Sequence, residues 1–284
     1  MRYIFLLIKI VMLSVVITLA VGGCYLFLMR SSLPSPARYM SGKKADELAR
    51  AVQAKVKRER WAKTGAIRWS MLDNAYLWDL RRGLVRVQFE NYKVLFDVDL
   101  NRVQVKEQPQ EGPRAGRWTI VKGQDAEKIS QRAHQLWLRD RFILEPAQSL
   151  FDQDVERYIV DSETLNPSLL VHYPKGGPHP KSTFHWKLKD HMPVSIKVWS
   201  DQFPIAGFPV DMKTWRILKT GLKVSLRRVI GPFNIDLRVK AASSLTHLVG
   251  RTDPFEAIKG DPFDPPPSSQ PNQIGDRRGR FRRF

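Results

Sequence analysis

Cys24 is the single cysteine of the chain, and the four residues before it, Ala20, Val21, Gly22 and Gly23, are small or apolar. This is the pattern at which a signal peptide is cut, leaving a terminal cysteine whose thiol can carry an acyl group. The sequel reads differently. Tyr25-Leu26-Phe27-Leu28-Met29 stays apolar, so the uncharged residues 10–29 also suit an uncleaved helix across a hydrocarbon core of about 30 Å. That continuation favours the uncleaved helix, with lipidation of Cys24 as the alternative. Either way, the rest of the chain is tethered to a membrane. Arg2 and Lys9 before the stretch are matched by Arg30, Arg38, Lys43 and Lys44 after it, so charge bias gives no direction. The short N-terminal tail suggests a signal-anchor in a bacterial inner membrane, with the main domain periplasmic.

Other candidate chemistry is sparse. His179, His185 and His191, with His172 and Asp190 nearby, are metal-ligand types, but their spacing matches no standard motif. Asp97 and Asp99 lie two apart on a strand and share a face, as paired carboxylates would, yet Asp99 adjoins a turn where Asp is common. No nucleophile elbow, zinc-protease helix, phosphate loop or dinucleotide fingerprint occurs. The expectation is a non-enzymatic protein with no cofactor and no metal; a hydrolase would have to depend on residues such as His185 or Asp97. The rings are more informative. Trp69, Trp78, Phe96, Trp186, Trp199 and Trp215 fall on or beside alternating segments, where a curved sheet would gather them as the lining of an acyl-chain or small-ligand cavity. Ordinary core beneath covering helices is the plain alternative for each ring.

The elements that must position these residues follow from periodicity. Ser41 is placed to cap a helix whose apolar face is Ala45, Leu48, Val52 and Val56, with Lys55, Lys57, Arg58 and Arg60 in its last turns. From Trp61 the period changes to two. Ile67, Trp69 and Met71, then Tyr76, Trp78 and Leu80, then Val85, Val87 and Phe89, then Tyr92, Val94, Phe96 and Val98 form successive stripes, closed by Val103 and Val105. Turns at Asp73-Asn74, Arg82-Gly83 and Glu90-Asn91 make this an antiparallel meander. A second amphipathic helix is predicted over 124–139, carrying Trp137, and a shorter one from Pro146. Strand signals resume at RYIV, SLLVHY, TFHWKL and VSIKVW. The last hairpin sets Leu222, Val224 and Leu226 against Phe233, Ile235, Leu237 and Val239 across Gly231-Pro232.

Among 284 residues, 43% hydrophobic, Lys and Arg exceed Asp and Glu to give a formal net charge of +19. Such an excess is felt by anionic partners: lipid headgroups, lipopolysaccharide, cell-wall polymers or nucleic acid. Residues 251–284 are too rich in Pro and polar residues to fold alone and end in RRGRFRRF. There Arg277, Arg278, Arg280, Arg282 and Arg283 suit anionic headgroups, at about 1 kcal/mol per cation near the surface. Basic residues flank Trp186 and Trp215, a pairing compatible with base stacking. They match no nucleic-acid motif, and an export signal places the domain away from nucleic acid, so no nucleic-acid partner is expected.

The order helix, WAKTGAIRWS, YLWDLRRGLVRVQFENYKVLFDVD, a Trp-bearing helix, VHYPKGGPHPKSTFHWKL and PVSIKVW…PIAG…TW…TG resembles a group of bacterial envelope proteins of unassigned function, over about residues 45–244. More remotely, the order of elements is similar to Lol-type (LolA/LolB-like) lipoprotein carriers. That resemblance implies an incomplete antiparallel barrel capped by helices, holding acyl chains on its concave face. The expected fold is α+β, a curved antiparallel half-barrel covered by two or three helices, with an N-terminal transmembrane helix. Its parts are an anchor or lipoprotein signal (1–30), a linker (31–44), the half-barrel domain (45–250) and a disordered basic tail (251–284). The expected function is binding of an acyl chain, lipid or lipoprotein; the alternative is an interaction or scaffold module of an envelope complex.

Overall fold

The computed structural model describes residues 9, 11–17, 22–24, 30–35, 39–113, 115–144, 147, 149–160, 167–174, 181–201 and 205–259. The predicted meander is present as β2 (Ala66–Met71), β3 (Asn74–Asp79), β4 (Leu84–Phe89), β5 (Tyr92–Asp97), β6 (Val103–Glu107) and β7 (Thr119–Val121), paired in that order. Short turns close it, and several need a left-handed residue, among them Leu72, Gly83 and Glu90. A second antiparallel sheet runs β1 (Tyr39–Met40), β8 (Glu156–Val160), β9 (Ser168–Tyr173), β10 (Ser182–Lys189), β11 (Met192–Trp199), β12 (Phe208–Ile217), β13 (Lys223–Ile230) and β14 (Phe233–Asp236). Asp190 and His191 both have positive φ in the β10–β11 hairpin, as a type I′ turn requires.

One strand belongs to both sheets. β14 pairs with β13, the Leu237 amide donates to the Leu226 carbonyl at 2.7 Å, and the chain continues as β15 (Arg238–Ala242) along β2. The two sheets therefore form one strongly curved antiparallel surface with β1 and β7 at its free edges. Gly65 shows how tightly this seam is drawn. Its amide donates to the Ala242 carbonyl and its carbonyl accepts from Leu80, and a Cβ placed on it would lie 2.2 Å from the Ser243 carbonyl oxygen. Gly65→Ala is expected to cost about 3 kcal/mol of stability through this backbone clash, as measured by urea unfolding.

Two helices lie on the concave side. α1 (Lys43–Lys55) buries Ala45, Leu48, Ala49 and Val52 and packs on β8, β9 and β11. Gly42 rather than Ser41 occupies its N-cap, and no side chain caps it. A 3₁₀ turn (Arg58–Lys63) follows and buries Trp61. α2 (Gly123–Leu144) is longer than the predicted 124–139 and packs on β4, β5 and β6 through Ala133 and Trp137, among others. The helix predicted from Pro146 is replaced, over the described residues 149–154, by turns.

The convex side carries a second, smaller core and corrects the boundary expected at Gly250. Leu77, Leu84 and Leu95 are covered by Phe255 and Ile258, with Leu245, Leu248 and Val249 of α3 (Leu245–Val249) and its surroundings. The fold thus extends through Lys259. Arg82 locks this segment in place. It forks onto Asp253 at 2.6 and 3.0 Å and reaches Asp79 with Nε at 2.7 Å. The bond from Arg82 holds the Asp253 carboxyl down at about 2. A depressed folded-state value stabilises above the unfolded carboxylate range and is lost as pH falls through about 4 to 2. Protection from hydrogen exchange at Phe255 and Ile258, taken relative to free amides at the same pH, is therefore expected to fall in that window, and Asp253→Asn to abolish the dependence. Both partners are partly exposed, so the effect is on the order of 1 kcal/mol.

Residues 9, 11–17 and 22–24 are helical, and among the described residues no helix is long and apolar enough to cross a membrane. The remainder of the segment expected to be an anchor, like the arginines of the tail, lies outside the described residues.

Candidate functional site

Alternation puts one side chain in two on the concave face, and on this sheet that face is aromatic. Trp69 stacks on Tyr76 with centroids 4.7 Å apart. Trp78 meets the α2 residue Trp137 edge to face at 5.5 Å, and Phe96 meets the same ring at 5.9 Å. Trp61 lies 6.1 Å from Trp78. Arg141 sits over Trp78 and Trp137, at 4.5 and 5.3 Å from their centroids. Trp69, Trp78 and Phe96 are thus brought together, with Trp137 as the hub.

Trp186 and Trp215 stand in the other half of the curve. They border a narrow cleft with Trp61, Val56, Leu144 and Val224, rimmed by Arg58 and Lys223. Its free volume is about 20 Å³, room for about one water molecule and far less than a ligand site. Trp199 is set apart from all of these. It alternates with the inward Ile196 and Val198, so its ring lies on the opposite face, where Nε1 donates to the Ser31 carbonyl at 2.8 Å. The other indoles are different in kind: the Nε1 groups of Trp69, Trp78, Trp137, Trp186 and Trp215 are buried with no hydrogen-bond partner among the described residues. A buried donor without an acceptor costs about 1–3 kcal/mol, and five in one interior is a departure from ordinary core.

Two buried ionic groups pin α2 to the sheet. Asp140 is fully buried; it accepts from the Tyr76 hydroxyl, from Arg139 Nε at 2.7 Å and from Asn74 Nδ2 at 3.5 Å. Burial, reinforced by the Asp140 charge, pushes the Tyr76 phenol far above its ordinary value, so the proton stays on the ring oxygen. Arg228 on β13 is also fully buried. It donates from Nε and Nη2 to the Ile143 carbonyl, at 3.1 and 2.5 Å, and from Nη1 to the Ser225 carbonyl at 3.0 Å. Ile143 is in the last turn of α2, where carbonyls lack helical partners and the dipole favours a cation. Among the described residues no carboxylate pairs with Arg228, and burial lowers its guanidinium to about 9.

The remaining candidates are occupied elsewhere. His172 Nδ1 bonds Thr183 Oγ1 at 2.8 Å and His185 Nε2 bonds Ser168 Oγ at 2.7 Å, on the face away from the core. Asp97 is buried, accepting from the Asn101 amide at 2.8 Å and from Arg102 at 3.0 Å, so it serves the β5–β6 turn, while Asp99 is exposed. His191 is exposed, His179 lies outside the described residues, and among the described residues no His, Cys, Asp and Glu group is arranged to hold a metal. Cys24 is a free, exposed thiol.

Sequence reasoning passed over Trp61, Tyr76, Asp140 and Arg228. Arg228 left a signal: it continues the parity of Val224 and Leu226, so an arginine is placed on the inward face.

No family model matches the sequence, and no curated protein matches it. Among solved structures the chain is similar to a LolA superfamily protein from Nitrosomonas europaea, at 12% identity, over 75% of this chain and 97% of that one, with a TM-score of 0.36. It is similar to a DUF1329 family protein from Desulfovibrio piger at 10% identity, covering 77% and 100% of the two chains, with a TM-score of 0.33. A third likeness, at 8% identity, 69% and 91% coverage and a TM-score of 0.25, is to a putative outer membrane lipoprotein-sorting protein domain from Vibrio parahaemolyticus. The remote Lol-type resemblance expected from the order of elements thus recurs among solved structures.

Proposed function

We propose that this chain is a non-enzymatic, membrane-tethered envelope protein that binds an acyl chain, as lipid or lipoprotein, between the concave sheet and its helices. The observation that carries the reading is the set of buried indole N–H groups without acceptors, lining an interior that is largely apolar apart from the Tyr76–Asp140 and Arg228 contacts that pin α2. Such an interior offers methylene-sized contacts along its length and donors for the ester or amide oxygens of an acylated ligand. Trp186 and Trp215 hold two of these donors at the cleft, with Arg58 and Lys223 placed for an anionic head.

A cleft of about 20 Å³ admits no chain as it stands. Binding on this reading means that α1, the 3₁₀ turn and the end of α2 lift, and that acyl methylenes replace their apolar side chains, each contributing about 0.8 kcal/mol. Arg228 is the polar contact that holds the end of α2 down, so its bonds to Ile143 oppose opening. The uncharged residues 10–29, with Cys24 as an alternative acylation site, supply the tether.

The test is native mass spectrometry of the purified chain with extraction of any bound molecule, followed by titration with fatty acids bearing a nitroxide quencher. A stoichiometric lipid and quenched tryptophan emission are expected. A clean unliganded mass, with no quenching by any chain length, would sink the reading. It would leave the second one, an interaction module, which the packed interior favours; its surface is an open groove of about 520 Å³ at the β6–β7 edge beside α2.

A further inference from the structure

On the convex face of the first sheet two cross-strand rows line up cations and no acids. One cross-strand row runs Lys240, Arg68, Leu77, Arg86, Leu95, Gln104; the next runs Arg238, Ser70, Ala75, Gln88, Lys93, Lys106, Ile120. Neighbouring strands are about 4.8 Å apart, so these cations are near neighbours in one patch. Among the described residues none of Arg68, Arg86, Lys93, Lys106, Arg238 and Lys240 is in an ion pair. The acids of this side are taken by others: Asp79 and Asp253 by Arg82, Asp97 by Arg102, Glu256 by Lys259.

The cations accordingly act on one another. Burial first, and then the Arg68 charge, lower the Arg86 guanidinium; burial, then Arg86 and Lys106, lower the Lys93 ammonium. A folded chain that sets like charges side by side without a counter-charge carries a repulsion that an external anion would relieve.

We propose that this convex face docks on the anionic headgroups of a bilayer, the cations meeting lipid phosphates while exposed Leu72 and Ile120 touch the interface. The proposal rests, for the presence of a membrane, on the tethered reading above. The face suits a plane better than a nucleic acid. Apart from the short C-terminal cover over Leu77, Leu84 and Leu95 it is a sheet surface, exposed along the second row at Arg238, Ala75, Gln88 and Ile120, and Trp118, the ring beside it, is covered by Lys93 at 4.1 Å rather than open to a base.

The test is lysine acetylation read by mass spectrometry on the full chain, bound to vesicles of phosphatidylcholine alone or with a third of phosphatidylglycerol. The apolar N-terminal segment enters both, so the difference reads headgroup contact. Lys93, Lys106 and Lys240 are expected to be protected only on the anionic vesicles, with exposed Lys187 and Lys213 of the other sheet unprotected and the effect erased at high salt. Arg68→Gln with Arg86→Gln should reduce that protection by about fivefold per charge while leaving the thermal midpoint unchanged or raised, since it removes repulsion. Equal reactivity on both vesicles, protection spread over all lysines, or protection by a short DNA duplex matching that of the vesicles would each overturn the proposal. Failure here is separable from failure of the acyl-binding reading, which is scored by released lipid and by quenching in the interior.

Discussion

Arg228→Ala is expected to lower the free energy of unfolding by about 4 kcal/mol in urea, the largest loss for a single polar side chain in this fold. The figure has two sources. The Ile143 and Ser225 carbonyls stay buried and lose their donors, at about 1–3 kcal/mol each, and the space left by the side chain forfeits packing. Burying a guanidinium with no acid beside it is costly in itself, so part of the loss is returned when the charge goes. Arg228→Met, which keeps the volume, should therefore fall between Arg228→Ala and the parent. Arg228→Lys keeps the charge but cannot serve both carbonyls and should be little better than Arg228→Met. If Arg228 also holds the end of α2 down, Arg228→Met loosens α2 and raises the rate at which a quencher-bearing fatty acid enters. A variant as stable as the parent would show that the three bonds contribute nothing net.

Trp186→Ala should cost about 3–5 kcal/mol, as expected for truncating a fully buried indole. Trp186→Phe separates the ring from its N–H. The smaller ring loses some packing, but it also removes a buried donor that lacks an acceptor, and such a donor carries a penalty of about 1–3 kcal/mol. Stability is therefore expected within about 1 kcal/mol of the parent, while affinity for an acylated ligand falls about tenfold. Trp215→Phe should behave the same way. Unchanged affinity in both variants would remove the indole N–H groups from the ligand's contacts and leave the rings as packing alone.

The first half of the sheet was legible because each strand is short, alternates cleanly and ends in a turn of two to five residues; Ile67 to Val105 needed nothing more. The second half was not. In β12 Thr214 takes a left-handed φ, which breaks the alternation of FPVDMKTWRI and hid the strand. The seam at Leu237 was invisible for another reason: the strand reads the same whichever partner it has, and its change of partner from β13 to β2 depends on curvature. The C-terminal cover failed on composition, since a Pro-rich polar stretch hides Phe255 and Ile258, which pack only because Leu77, Leu84 and Leu95 leave the convex face apolar. At the site, alternation gave the faces of Trp69, Trp78, Phe96 and Trp186. Trp199 went astray because periodicity says which residues share a face without saying which face is inside.

The strand shared by the two sheets also dictates when folding can finish. β2 is complete by Met71, yet its outer edge is unpaired until Arg238–Ala242 arrives from near the other end of the chain. Contacts so distant in sequence close slowly, because the loop entropy is met before the pairing rewards it. A ribosome or a translocation pore releases the N-terminal meander first, so an emerging chain waits with an open edge and half its curve. The curve becomes one cooperative unit only on release of the last strand, and a chain shortened before Ala242 would expose the β2 edge to other strands rather than fold as a smaller domain.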